Sequence, residues 1–132
     1  MRIGVLLMTH RPLAGDLLRI VGEILGGPPP GVEALEVVND TPRETLVADA
    51  LRCIERLDQG GGVLILTDLC GATPCNVAVA LLDRQPRLRV LAGVNLPMLL
   101  RTLNYAELDL DTLVEKALQG ARDGACACQA KC

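Results

Sequence analysis

Tryptophan and phenylalanine are absent from the 132 residues, and Tyr105 is the lone aromatic. Any core must be built of Leu, Val, Ile and Ala, which suits helices packed on a sheet and argues against base stacking. Basic charge is also short, since 13 Lys and Arg stand against 16 Asp and Glu, for a net charge of -3. Nucleic-acid binders draw much of their affinity from phosphate neutralisation by basic side chains, so that class is set aside. No apolar run reaches the roughly 18 residues of a membrane span. The N-terminus lacks a signal peptide's basic region, longer apolar region and small-residue cleavage site. We therefore expect a cytoplasmic chain without membrane insertion. Histidine occurs once, at His10, so imidazole chemistry falls to that residue.

What is present fits a single domain, because this length buries one substantial core and leaves no room for a second. Half of the residues are hydrophobic. Six cysteines might suggest disulfides. A cytosolic chain keeps its thiols reduced, and Cys53, Cys70 and Cys75 fall in predicted regular structure or tight turns, so we read them mainly as small packing residues.

The run Ile3-Gly4-Val5-Leu6-Leu7-Met8 ends in Thr9-His10-Arg11-Pro12. A nearly all-apolar run that stops at a polar pair before a proline reads as a buried strand leading into a helix. From Pro12 to Leu25, Leu13, Leu17, Leu18, Val21 and Leu25 recur at three- and four-residue steps, an amphipathic stripe. Pro12 fits that helix's first turn. Gly26 to Gly31 breaks the chain, and Val32 to Val38 reads as a second strand. Pro42 is expected at the first position of a helix running to about Leu57, with Leu46, Ala50, Cys53, Ile54 and Leu57 as its core face. Val63 to Thr67 is a third strand, followed by a helix from about Pro74 to Leu82. Arg87 to Ala92 is a fourth strand, with helices expected from about Pro97 to Leu103 and Asp109 to Ala121. Asp109 suits an N-cap.

Strands alternating with helices define an α/β fold: an open, mostly parallel sheet, joined by right-handed crossovers and covered by helices on both faces. Residues 1–124 form the domain, and 125–132 are a C-terminal strand or tail. There is no internal repeat.

Parallel strands carry their following turns to one sheet edge, where ligands gather in open α/β folds. There stand Thr9 and His10 after the first strand, Asp68 and Thr73 after the third, and Asn95 after the fourth. Taken singly each has an ordinary explanation: His10 as a surface residue, Asp68 as a turn former or cap, Thr73-Pro74 as a helix start, Asn95 as a turn former. Gly71 and Gly93 would simply permit tight turns. Together they suit a phosphorylated histidine. A carboxylate such as Asp68, accepting a hydrogen bond from one ring nitrogen, leaves the other nitrogen's lone pair as a nucleophile. The Gly71-Ala72-Thr73-Pro74 turn opens a helix whose free N–H groups and dipole favour an anion, and Thr73 adds a hydroxyl.

Three stretches carry a family resemblance that covers Ile3 to about Gly124. They are Thr9-His10, Leu66-Thr67-Asp68-Leu69-Cys70-Gly71-Ala72-Thr73-Pro74-Cys75-Asn76, and Ala92-Gly93-Val94-Asn95-Leu96-Pro97-Met98-Leu99. In these the chain resembles the mannose-family enzyme IIA component of the bacterial phosphoenolpyruvate-dependent sugar phosphotransferase system. The resemblance implies that His10 accepts a phosphoryl group from the phosphocarrier HPr and passes it to a IIB partner, with Asp68 orienting the ring. Gly71, Ala72 and Thr73 would then receive the phosphate, with Thr9 and Asn95 in support. It also implies a homodimer that exchanges a fifth, antiparallel strand, here from about Ala125 to Lys131.

Departures from the family pattern bear on partner choice. Arg11-Pro12 stands where the family often has a small residue after the histidine. Leu69-Cys70 replaces a common aromatic, and Ala72-Thr73-Pro74 replaces Gly-Ser-Pro with the hydroxyl retained. With the chain ending at Cys132, the IIB partner is expected to be a separate protein. Peripheral association with a permease is compatible with this. Two readings stand beside transport: a regulatory or docking module of the same fold, favoured by Arg11-Pro12, and a phosphate donor to a dihydroxyacetone kinase system. No cofactor or metal is expected. Cys126, Cys128 and Cys132 offer three thiols, but their spacing is not the paired Cys-x2-Cys of structural zinc sites.

Overall fold

The computed structural model describes residues 1–130. Strand β1 (Gly4–His10) is central, and its side chains are buried up to Thr9. It is followed by α1 (Leu13–Leu25), β2 (Val32–Val37), α2 (Arg43–Leu57), β3 (Val63–Thr67) and α3 (Thr73–Ala80). A short 3-10 turn, Leu82–Arg84, precedes β4 (Leu88–Ala92), α4 (Leu96–Asn104) and α5 (Leu110–Gly124). The four strands are parallel in the order β2-β1-β3-β4.

The unbroken apolar runs of β1 and β3 are explained by burial on both faces. Successive side chains alternate across a strand. Val5, Leu7, Leu64 and Leu66 pack in one layer with Leu17 and Val21 of α1, Met98 and Leu99 of α4, and Leu113 and Ala117 of α5. Leu6, Met8, Val63 and Ile65 pack in the other with Leu46, Ala50, Cys53, Ile54 and Leu57 of α2 and Val77 and Ala78 of α3. Fully burying each such leucine or isoleucine contributes about 1.5–3 kcal/mol, so the two layers fix the strand ends that carry the polar residues. Helices α4 and α5 lie close together: a Cβ on Gly120 would stand 2.7 Å from Arg101 Cβ.

The α/β class, the parallel sheet and the helices on both faces are as expected. So are the core face of α2 and the Asp109 cap, whose carboxylate accepts from the Thr112 N–H at 2.9 Å. Several local readings are corrected. Pro12 and Pro42 precede their helices as N-caps, with carbonyls that accept from Asp16 and Leu46. The buried face of α1 is Ala14, Leu17 and Val21, while Leu13 and Leu25 are exposed. Cys53 and Cys75 are buried, but Cys70 is exposed in its loop and packs no core. Residues 125–130 are exposed and form no strand within the single chain. Lys131, the expected end of an exchanged strand, and Cys132, the third tail thiol, lie outside the described residues.

Candidate functional site

The strand order changes direction between β1 and β3, because the chain moves outward from β1 to β2 and then returns to the other side for β3 and β4. Such a switch point opens a crevice beyond the carboxyl ends of the strands it separates. His10 ends β1, and Asp68 immediately follows β3. The register pairs Met8 with Thr67, so β1 runs on past the end of β3 to bring His10 beside Asp68.

The contact between them is direct. His10 Nδ1 lies 2.8 Å from Asp68 Oδ2, and the His10 backbone N–H donates to the same oxygen at 3.2 Å. The His10 side chain is 42% exposed and that of Asp68 15%, so the carboxylate is the inner partner and the imidazole the outer one. Burial pushes the Asp68 carboxyl up, but the hydrogen bonds from the His10 ring and backbone outweigh it and hold the group below its ordinary value of 3.8. With Nδ1 donating to an ionised carboxylate, a neutral ring keeps its lone pair on Nε2. Asp68 Oδ1 is buried with no hydrogen-bond partner among the described residues.

Neighbouring groups brace this pair. Thr9 is fully buried, and its hydroxyl donates to the His10 carbonyl at 2.9 Å. Arg11 N–H donates to the Val37 carbonyl at 3.0 Å, which carries the β1–β2 ladder one residue past His10. Beyond Asp68 the loop turns at Gly71, whose φ of +87° is a left-handed conformation that favours glycine. Asn76 Nδ2 donates to the Gly71 carbonyl at 3.0 Å and ties that turn to α3. Ala72 caps α3 without a side-chain bond, and Pro74 has no N–H, so Thr73 and Cys75 supply the open first-turn donors. Gly71 and Thr73 are exposed.

The Asn95 side chain is hydrogen-bonded to α4 and α5. Its side-chain oxygen accepts from Met98 N–H at 2.8 Å, and its amide donates to the Ala121 carbonyl at 3.1 Å. Both ends of the side chain therefore cap α4 and tie it to α5. On the β2 side of His10 lies a cavity of about 270 Å³, lined by His10, Arg11, Val37, Val38 and Asn39. Residues 37–39 were not among the sequence candidates. The signal that finds them is the register, which sets His10 beside Val37 once β2 is known to flank β1. Val38 and Leu69 put exposed apolar surface at the same end of the sheet.

A family model described as the PTS system fructose IIA component, EIIA-man, matches residues 4–118. The chain belongs to the mannose-family IIA components of the bacterial sugar phosphotransferase system. The mannose-specific EIIAB component of Escherichia coli K12 is 35% identical over 133 aligned positions, which cover 99% of this chain and 41% of that protein. The chain thus spans well under half the length of this curated relative. Among solved structures, the mannose/sorbose specific IIA subunit from Enterococcus faecalis superposes with a TM-score of 0.86 at 25% identity, covering 98% of this chain and 96% of that one. The EIIA component from Streptococcus agalactiae, at 24% identity, shares the fold with a TM-score of 0.85 over 95% of this chain and 96% of its own. Among the described residues, no helix of this IIA component is long and apolar enough to cross a membrane.

Proposed function

We propose that this chain is a phosphocarrier that accepts a phosphoryl group from HPr on His10 and passes it to a IIB partner in the cytoplasm. The observation that carries this reading is the 2.8 Å contact between His10 Nδ1 and Asp68 Oδ2. It leaves Nε2 as the free nucleophile of a half-exposed ring. The Nε2 lone pair attacks phosphorus, an N–P bond forms, and the donor's own N–P bond breaks with its electron pair returning to the donor imidazole. The His10 ring, still protonated at Nδ1, gains positive charge. Asp68 stays ionised to balance it, because its hydrogen bonds from His10 hold its pKa low. The Gly71-Ala72-Thr73 turn receives the phosphoryl oxygens in this reading, with the N–H and hydroxyl of Thr73 as its donors, since the Ala72 N–H is already given to the Leu69 carbonyl at 3.3 Å. Passing the group onward reverses these steps.

The same family reading extends to a homodimer in which the segment after α5 joins a second copy as an antiparallel strand. Strand β4 offers the place, since it forms one edge of the sheet.

The test is incubation with enzyme I, HPr and phosphoenolpyruvate, followed by intact mass measurement. One acid-labile phosphoryl group is expected on the wild type and none on His10→Ala. A folded wild type that stays unmodified with its own organism's HPr rejects the carrier and leaves a docking module. Phosphorylation without transfer to any IIB points instead to regulation or to supply of a dihydroxyacetone kinase system.

A further inference from the structure

We propose that Arg11 is a phosphoryl-binding residue, whose guanidinium holds the oxygens of the group carried on His10. The inference rests on the carrier reading above and adds to it a residue that the His10–Asp68 pair does not supply. Arg11 and His10 line the same cavity, together with Val37, Val38 and Asn39. The Arg11 backbone is held in place, because its N–H donates to the Val37 carbonyl at 3.0 Å. Its side chain is exposed and, among the described residues, makes no hydrogen bond or ion pair. By contrast, Arg56 and Arg89 are occupied by Glu33 and Asp111. A cation adjacent in sequence to the nucleophile, anchored at its backbone and uncommitted at its head, is well placed for an anion arriving at that cavity.

The charges around the ring favour the same assignment. Asp68 occupies the Nδ1 side, so a phosphoryl dianion arriving at Nε2 enters a site that already holds one negative charge. Arg11 is the cation that lines the His10 cavity. A guanidinium presents planar paired donors that match two phosphoryl oxygens, and such a clamp stabilises charge during phosphoryl transfer.

The experiment uses phosphoramidate, a small phosphoryl donor with no protein surface for Arg11 to recognise, in parallel with phosphorylated HPr. With phosphoramidate, Nε2 attacks phosphorus, the donor P–N bond breaks, and ammonia leaves with that electron pair. Arg11→Ala is expected to slow uptake from both donors by about fivefold, the effect of losing one partly exposed charged contact. Arg11→Lys recovers part of the rate, since an ammonium keeps the charge and loses the fork. Circular dichroism and thermal melts verify that the variants are folded. An Arg11→Ala rate with phosphoramidate equal to wild type overturns the assignment, even if uptake from HPr falls, because Arg11 would then serve docking alone. A wild type that neither donor phosphorylates overturns the carrier reading itself, and this assignment with it.

Discussion

A single oxygen, Asp68 Oδ2, receives both the ring Nδ1 and the backbone N–H of His10, at 2.8 and 3.2 Å. Because the two hydrogen bonds share one acceptor, the imidazole is oriented relative to the end of its own strand. The partners lie 58 residues apart in the chain and meet because β1 and β3 are adjacent in register.

Replacing Asp68 with Asn keeps an acceptor for Nδ1 and removes the charge. Phosphoryl uptake at His10 is expected to fall roughly tenfold, the loss of one charge-assisted hydrogen bond. The same variant reports on stability. Asp68 is held below its ordinary 3.8 in the folded chain, so its contribution is fully present above that value and is lost as pH falls through the depressed one. Urea midpoints followed from neutral to acid pH should therefore fall more steeply for the wild type than for Asp68→Asn. Parallel acid limbs would contradict this.

Asn95→Ala removes the α4 cap and the tie to Ala121. A loss of about 1 kcal/mol in chemical denaturation is expected, typical of an N-cap deletion. The phosphorylation rate should not change, and a variant of native stability with impaired uptake would return Asn95 to the phosphoryl site.

Deleting residues 125–132 tests the exchanged strand. Light scattering should give a dimer for the full chain and a monomer for the truncated one, with the sheet and both core layers intact by circular dichroism. A truncated chain that stays dimeric places the interface elsewhere.

Periodicity was a good guide where a helix meets the sheet along a wide apolar face. In α2, Leu46, Ala50, Cys53, Ile54 and Leu57 all point inward as their spacing predicts. It was a poorer guide in α1, where the stripe of large residues included Leu13 and Leu25 but the packed face is Ala14, Leu17 and Val21. A small residue lets a helix approach a sheet closely, and residue size by itself does not say which turn will do so. Cys70 is exposed for a related reason: position in a tight loop does not fix whether a side chain points inward. At the site, His10 and Asp68 were legible from the polar residues that end apolar runs. The lining by Val37, Val38 and Asn39 was not, since nothing in an ordinary strand end marks it as the neighbour of a nucleophile.

The sequence by itself determined the class of fold, the sheet edge on which the polar turns gather, and the one residue able to carry imidazole chemistry. Those properties depend on local pattern and composition, which the linear order contains. Tertiary structure alone decided that Asp68 takes Nδ1 and leaves Nε2, that Asn95 is occupied in capping α4, and that Arg11 shares a cavity with His10. Each depends on the register and packing of segments far apart in the chain, where an ångström decides whether two groups bond.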